Sequence, residues 1–401
     1  MMTGTPGRPG RDAMAANGNQ LISQLDGLRR IQRSRHCLFA AFCRIGFVLA
    51  LVVSCTAATA GGRTGTDPND TALAQALATD KVFARMAGSA EHAALLLAQF
   101  RDNIEQGETD WHHQQAVIHP IDDLGATTTF ELLPLIEWYT ASDALKGEGG
   151  VSYLIRTDEA TILFDLGLNP YRSHPSPLLT NMDRLNVALS EIDAIVISHP
   201  HPDHVGGASW GFRGTFSLSG EQIDLGRRSV YTPVKMSYPG LMPIHASRPI
   251  KIAKGVTTSG VIQCPLFFDG IVPEQALMVH LDGKGVVVIT GCGHPGGEKL
   301  LERAAALFDA PVYAVLGGLH LPLTEERNIT HFYQFFLTGR PPWQPLTQAG
   351  VKAQAAAMKN CGVRCVGLSA HDSSDDAISI FRSLFQPHYY ELDVGLTVRL
   401  H

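Results

Sequence analysis

Between Thr71 and about Glu108, apolar residues recur every three or four positions, in "ALAQALATDKVFARMAG" and "EHAALLLAQFRDNIEQ". That period predicts two helices. From about Phe130 the pattern shortens. "FELLPLIEWY", "VSYLIRT" and "ATILFDLG" are brief runs rich in apolar and β-branched residues, separated by turns, and predict strands. "LTNMDRLNVALSEI" reads as a helix and "DAIVIS" (Asp193–Ser198) as a buried strand. Further strands are expected at Gln275–Asp282, Gly285–Gly291, Val312–Gly318, Arg364–Ala370 and Leu396–Leu400, with a helix over "GEKLLERAAALFD". Strands alternate with helices but hairpins are frequent, which predicts an α/β layered domain with mixed sheets. The stretch Pro322–Gly350 is rich in aromatics and interrupted by proline and glycine. A loop of that length is expected to be a lid, a binding loop, an interface or a surface excursion over apolar area.

The 401 residues are 45% hydrophobic and 17% charged, as a globular chain with a real core requires. The formal charge of −6 is uneven. Residues 1–60 hold seven arginines against Asp12 and Asp26, so this segment is +5 and the remainder is −11. So acidic a body argues against nucleic acid as a partner, because that affinity comes from lysines and arginines displacing counterions. In the basic segment, "LRRIQRSRH" precedes the apolar "IGFVLALVV" and the small-residue "SCTAATAGG". Those are the parts of a secretory leader. Its cleavage is expected near Ala58–Ala60, or by lipidation at Cys55, with an uncleaved membrane anchor as the alternative. Residues 1–60 are therefore read as leader, 61–125 as linker and helical extension, and 126–401 as the main domain. The extension is expected to cap that domain or to pack between subunits of a homo-oligomer. Outside the leader stand Cys264, Cys292, Cys361 and Cys365, too few for a disulfide framework. They are expected to be buried small hydrophobes, with a Cys361–Cys365 pair as the alternative.

The densest chemistry lies in "SHPHPDHVGG" (Ser198–Gly207). His199 and His201 each precede a proline, which biases both toward extended backbone. Residues two apart on extended chain point the same way, so both imidazoles project together from the end of a strand. Asp203 and His204 follow as the chain turns. Imidazole and carboxylate suit zinc, manganese or iron(II). A histidine-rich surface loop would need neither the buried strand before it nor the paired prolines. His112 and His113 are expected at the surface, and His280 as a satisfied core residue. No G-x-S-x-G elbow and no phosphate-binding P-loop occurs, so a serine nucleophile is unsupported.

These residues resemble the signature of the metallo-β-lactamase-fold superfamily, and "TILFDLG" with Asp165 is similar to the strand that precedes it there. "GEGGVSYLI", "VTTSG" (Val256–Gly260), "TGCGHPGG" (Thr290–Gly297), "GGLHL" (Gly317–Leu321) and "LSAHDSS" (Leu368–Ser374) resemble one branch, that of the methanogen dihydropterin ribofuranosylaminobenzene phosphate synthase. The resemblance runs from about Phe130 to the C-terminus. It implies an αββα sandwich of two mixed β-sheets flanked by helices, here with an N-terminal helical extension. It also implies two divalent transition-metal ions, zinc first and manganese or iron as alternatives. His199 and His201 would hold one ion, and Asp203 and His204 the second, completed by His371. His294 and His320 sit in turns after strands, as in the branch.

Many superfamily members carry an aspartate that bridges the metals in the turn where this chain has Cys292-Gly293-His294. Of that pair His294 is the expected ligand, because an exported thiol is open to oxidation; Cys292 is expected behind the strand. Asp165 is expected to hold a histidine or the ligand loop by hydrogen bonds.

The expected function is a metal-dependent hydrolase of a small molecule such as an ester, lactone or phosphoester, with Asp203 and His320 as catalytic groups. A pterin–phosphoribose transferase and a non-catalytic metal-binding protein are the alternatives. The chain is expected to be exported, to the periplasm or to a membrane anchor. Mass spectrometry of protein from its native host is expected to show a mature chain without residues 1–60, or with lipid on Cys55. An intact soluble chain would remove export and bring the transferase reading forward.

Overall fold

A computed structural model describes residues 68–327, 329 and 337–400. The expected leader, residues 1–60, lies outside them. Among the described residues three helices come first: α1 (Pro68–Thr79), α2 (Lys81–Ala87) and α3 (Ala90–Gln115). Sequence periodicity had suggested two. The first is cut at Asp80, whose carboxylate caps α2 by accepting from the Val82 and Phe83 N–H groups at 2.9 Å. An aspartate that can cap the next turn competes with continuation of the helix.

Strands β1 (Phe130–Ile136), β2 (Ser152–Arg156) and β3 (Thr161–Phe164) lead to helix α4 (Pro177–Arg184), then β4 (Ala194–Val196), the single-turn α5 (Ala208–Gly211), β5 (Ser229–Thr232) and β6 (Ile244–His245). Strands β7 (Lys251–Ala253), β8 (Val256–Thr258), β9 (Ile262–Leu266), β10 (Gly270–Glu274), β11 (Leu277–Leu281) and β12 (Gly285–Thr290) follow. Helix α6 (Gly296–Leu307), β13 (Val312–Gly317), α7 (Gln348–Asn360), β14 (Cys365–Leu368), α8 (Asp375–Phe385) and β15 (Val398–Leu400) come next among the described residues.

Two mixed sheets result. One has the order β15-β1-β2-β3-β4-β5-β6, the other β14-β13-β12-β11-β8-β7, and β9 with β10 forms a separate hairpin. Alternation along the strands assigns the faces. In β12, Val287 and Ile289 join Phe130, Leu132, Ile162 and Phe164 between the sheets. Val286 and Val288 turn outward, under Leu300 and Ala304 of α6 and Phe381 of α8. Leu163 and Ile195 of the first sheet turn outward under Leu178 and Met182 of α4. Both faces of both sheets are covered, which is why the strands read as near-continuous apolar runs. This is the αββα sandwich.

The N-terminal helices bury Phe83 and Phe100 against Phe267 in the β9–β10 turn and against Trp343 of the long loop. The described part of that loop thus covers apolar surface on the helical extension. Arg303 of α6 is fully buried under Trp111 of α3, its guanidinium 4.9 Å from the ring centroid. It donates to Gln115 Oε1 (2.6 Å), Ser259 O (2.7 Å) and Gln114 Oε1 (3.0 Å). With each of its three nitrogens donating one hydrogen bond, the buried cation ties α3 to the sandwich. All four cysteines beyond the leader are free, and Cys361 is exposed while Cys365 is buried, so the two are not paired. Among the described residues no helix is long and apolar enough to cross a membrane.

Candidate metal centre

Strands β1, β3 and β4 of the first sheet point one way, because β1 and β3 are both antiparallel to β2 and β3 is parallel to β4. Strands β12, β13 and β14 of the second sheet are likewise parallel to one another. Their C-terminal ends deliver Glu137, Asp165, His199, Cys292, His320 and His371. Sequence-distant side chains therefore meet at one edge of the sandwich.

Asp165 anchors the first sheet's contribution. It is fully buried and sits at a left-handed φ of 61°. Its Oδ1 accepts from the Ser198 N–H (2.6 Å), and its Oδ2 accepts from Ser198 Oγ (2.6 Å) and lies 2.7 Å from His204 Nδ1. A ring held at Nδ1 by a carboxylate turns Nε2 inward as a lone-pair donor. His204 Nε2 lies 3.2 Å from Cys292 Sγ and 3.6 Å from Asp203 Oδ2. His371 repeats the arrangement from the second sheet. Its Nδ1 meets Ser369 Oγ in a short contact and lies 3.8 Å from Glu137 Oε1, while its Nε2 lies 3.3 Å from Cys292 Sγ. Ser369 Oγ in turn donates to Glu137 Oε1, so Glu137 stands behind His371 as Asp165 stands behind His204.

His199 Nδ1 lies 2.9 Å from Ser198 Oγ and its Nε2 3.0 Å from His201 Nδ1. The rings of His199 and His294 meet edge to face at 5.1 Å, and His294 lies 4.7 Å from His320. His320 has φ 49°, a left-handed conformation held by its own N–H donating to Asp372 Oδ2 at 3.0 Å. His201 Nε2 faces Asp269 Oδ2 at 3.3 Å, an ion-pair distance without hydrogen-bond geometry.

Two glycines let the sheet edges meet. A Cβ at Gly291 would collide with Ser198 Oγ and Asp165 Oδ2, and one at Gly293 (φ 67°) with the Gly318 carbonyl. The turn is fastened from below by buried Glu274, whose two oxygens accept from the Gly293 and His294 N–H groups at 2.8 Å. "GEGG" fastens the ligand loop. Glu148 accepts from the Leu168 and Asn169 N–H groups, and the Val151 N–H donates to the Asp203 carbonyl at 3.2 Å.

The residues expected from the sequence to bind metal, His199, His201, Asp203, His204, His294 and His371, lie at this edge. Asp165 lies behind His204, and His320 lies beside His294. The expectation for Cys292 needs correction. Its thiol is not behind the strand but inside the cluster, and it is shared by three groups of candidate donors. These are Asp203, His204 and His371; His199 and His294; and His320 and Asp372. Within each group, Cys292 included, the donor atoms lie within 4.8 Å of one another. Gly293 at positive φ and the Glu274 clamp shape the turn, and both Cys292 and His294 face inward. Asp372, Glu137, Glu274 and Asp269 were not anticipated. Asp372 was within reach, being the residue after His371 in "LSAHDSS"; the other three come from distant strands and a hairpin tip.

The electrostatics follow from burial among many donors. Burial opposes a Cys292 thiolate, but the surrounding imidazoles of His204, His199, His371 and His294 outweigh it and lower the thiol. Burial lowers His294 to about 4. Burial raises Glu274 to about 8, with the nearby Cys292 charge adding to it. Burial opposes charge on His201 too, yet Asp269 and Cys292 raise it to about 10. The buried ring nitrogens of partly buried His294 and of buried His320 lack a hydrogen-bond partner. Leaving buried polar atoms unpaired costs roughly 1–3 kcal/mol each. Imidazole, carboxylate and thiol with lone pairs converging are the donor set of a borderline transition metal. By chemistry and by these unpaired nitrogens, the residues fit such an ion.

Comparison with known proteins agrees with this class. Residues 145–310 match the family model of the metallo-beta-lactamase superfamily. Among individual proteins, it is 22% identical over 320 residues to the 7,8-dihydropterin-6-methyl-4-(beta-D-ribofuranosyl)-aminobenzene-5'-phosphate synthase of Methanocaldococcus jannaschii. That match spans 69% of this chain and 99% of the synthase. A stretch of 116 residues, 27% of this chain and 18% of the relative, is 30% identical to transcription termination factor FttA of Cenarchaeum symbiosum. A solved metal-dependent hydrolase of the beta-lactamase superfamily aligns over 68% of this chain and 99% of its own, with 19% identity and a TM-score of 0.45.

Asp165→Asn removes the negative charge behind His204 while keeping a residue type that tolerates left-handed backbone. Its metal affinity, measured by competition with a chelating dye, is expected to fall by about 10–100-fold with unchanged circular dichroism. Unaltered affinity would show that Asp165 does not hold His204 for a metal.

Proposed function

We propose that this chain is a metal-dependent hydrolase acting on an ester, lactone or phosphoester-type small molecule. The observation that carries the reading is the buried array of imidazoles, carboxylates and thiol at the strand ends, with the nitrogens of His294 and His320 unpaired. The ions would be held by His199, His201 and His294 on one side and by Asp203, His204 and His371 on the other. When bound, two divalent transition metals, zinc first and manganese or iron as alternatives, lower the pKa of water from 15.7 to about 7 and polarise a carbonyl or phosphoryl oxygen.

The protein's own groups supply position and proton handling. The side chains of His201, Asp203 and Asp269 keep 14–16% of their surface exposed, while those of His204 and His371 keep 0–1%. Solvent and substrate therefore approach from the His201–Asp203–Asp269 side. Asp203 stands at that mouth, where its carboxylate can orient a water and take its proton. His320 lies deeper and has a free ring N–H to offer to a developing oxyanion.

A second reading is a transferase that joins a pterin to a phosphorylated ribose compound, supported by similarity along nearly the whole methanogen synthase. Export through the leader, with Cys55 lipidated or the segment removed, forms part of the hydrolase proposal, since the synthase's substrate class belongs to the cytosol. The same proposal takes a small molecule as the partner and leaves the helical extension free to pair subunits.

Metal-loaded protein assayed on ester, lactone, phosphodiester and β-lactam panels is expected to turn over at least one class. Chelation should abolish that activity and added zinc restore it. Metal-loaded protein inert on every panel, yet coupling a pterin to a phosphorylated ribose compound, would replace the hydrolase reading with the transferase.

A further inference from the structure

Cys292 is 2% exposed, at the C-terminal end of β12, between the contributions of the two sheets. Its surroundings are unlike those of a cysteine serving as a small hydrophobe. Cys264 packs within the β9–β10 hairpin and Cys365 within the core between the sheets. The Cys292 sulfur faces two imidazole nitrogens instead, His204 Nε2 at 3.2 Å and His371 Nε2 at 3.3 Å.

Hydrogen-bond arithmetic makes that arrangement demanding. The Nδ1 atoms of both rings are engaged from behind, His204 by Asp165 and His371 by Ser369 in front of Glu137. In the neutral tautomer this leaves each Nε2 as a bare lone pair aimed at the sulfur. One thiol proton can serve one of them, and a thiolate would face both with like polarity. The contacts are satisfied either by protonating both rings or by a cation among the three atoms. Two ligands of one tetrahedral zinc, at about 2.0–2.1 Å for nitrogen and 2.3 Å for sulfur, stand roughly 3.5 Å apart. The observed separations are close to that.

The sulfur also belongs to the opposite donor group. Cys292, His199 and His294 have their donor atoms within 4.8 Å of one another, as do Cys292, Asp203, His204 and His371. Among the described residues Cys292 is the one member common to both groups. We propose that Cys292 is a thiolate ligand shared between the two metal subsites, joining the His199/His294 side to the Asp203/His204/His371 side. This inference rests on the metal-binding reading above. Coordination exchanges the S–H bond for metal–sulfur bonds and releases the thiol proton to solvent. Burial answers the objection from oxidation, since a sulfur this enclosed, with its lone pairs on metal, is a poor target for oxidants. A shared thiolate also sets metal preference, favouring zinc, cobalt or iron(II) over magnesium and manganese.

The test uses the full chain, stripped by a chelator and titrated with cobalt(II) alone under reducing, anaerobic conditions. A near-ultraviolet sulfur-to-cobalt charge-transfer band is expected to grow with the first equivalent and again with the second. Cys292→Ser is expected to lack the band and to take up its second cobalt at least ~10-fold more weakly. Two bound cobalt ions without a charge-transfer band would overturn the proposal while leaving the metal reading intact. So would a band that saturates at the first equivalent while the second ion still binds, or one that persists in Cys292→Ser. No cobalt uptake would overturn both. The wild-type titration stands by itself if the serine variant fails to fold.

Discussion

Gathering imidazoles, carboxylates and a thiol away from water carries a large desolvation cost, which apolar packing does not return. The rest of this structure is arranged around meeting that cost. Several inward-facing groups are backed by others: Asp165 behind His204, Glu137 and Ser369 behind His371, Glu274 under the backbone of His294. What the backing does not satisfy are the ring nitrogens of His294 and His320. A bound cation would complete the set.

The sandwich makes this convergence possible because both sheets end at the same edge. Parallel strands β3 and β4 release Asp165 and the ligand loop side by side. Strands β12, β13 and β14 release Cys292, His320 and His371 opposite them. The approach is close enough that Gly291 and Gly293 leave no room for a Cβ. The helical extension reaches the site indirectly. It packs Phe83 and Phe100 against Phe267, two residues before Asp269, and Asp269 faces His201 at the solvent side.

Much of this could be read from the sequence, for local reasons. His199 and His201 do meet, Nε2 of one 3.0 Å from Nδ1 of the other, although the chain bends at Pro200 and His201 rather than running on extended. The strand runs were legible because burial on both faces leaves few polar interruptions. The reading failed where geometry depends on distant residues. Cys292 was expected behind its strand because an exported thiol is open to oxidation; the turn that carries it inward is shaped by Gly293 and by Glu274, which lies on β10. Glu137 and Asp269 each reach the site from elements whose pairing no local pattern announces. In the extension, the break at Asp80 was hidden because the apolar period continues through a residue that caps the next helix.

The central claim is that this edge exists to hold metal. Elemental analysis of the purified full chain, loaded with a mixture of zinc, manganese and iron(II) and then dialysed, addresses it directly. The account predicts roughly two equivalents of transition metal per chain, with zinc favoured by the thiolate and imidazoles. Retention of less than about half an equivalent in total, from a folded and reduced protein, would contradict it, because donors this soft and this convergent should hold such ions tightly.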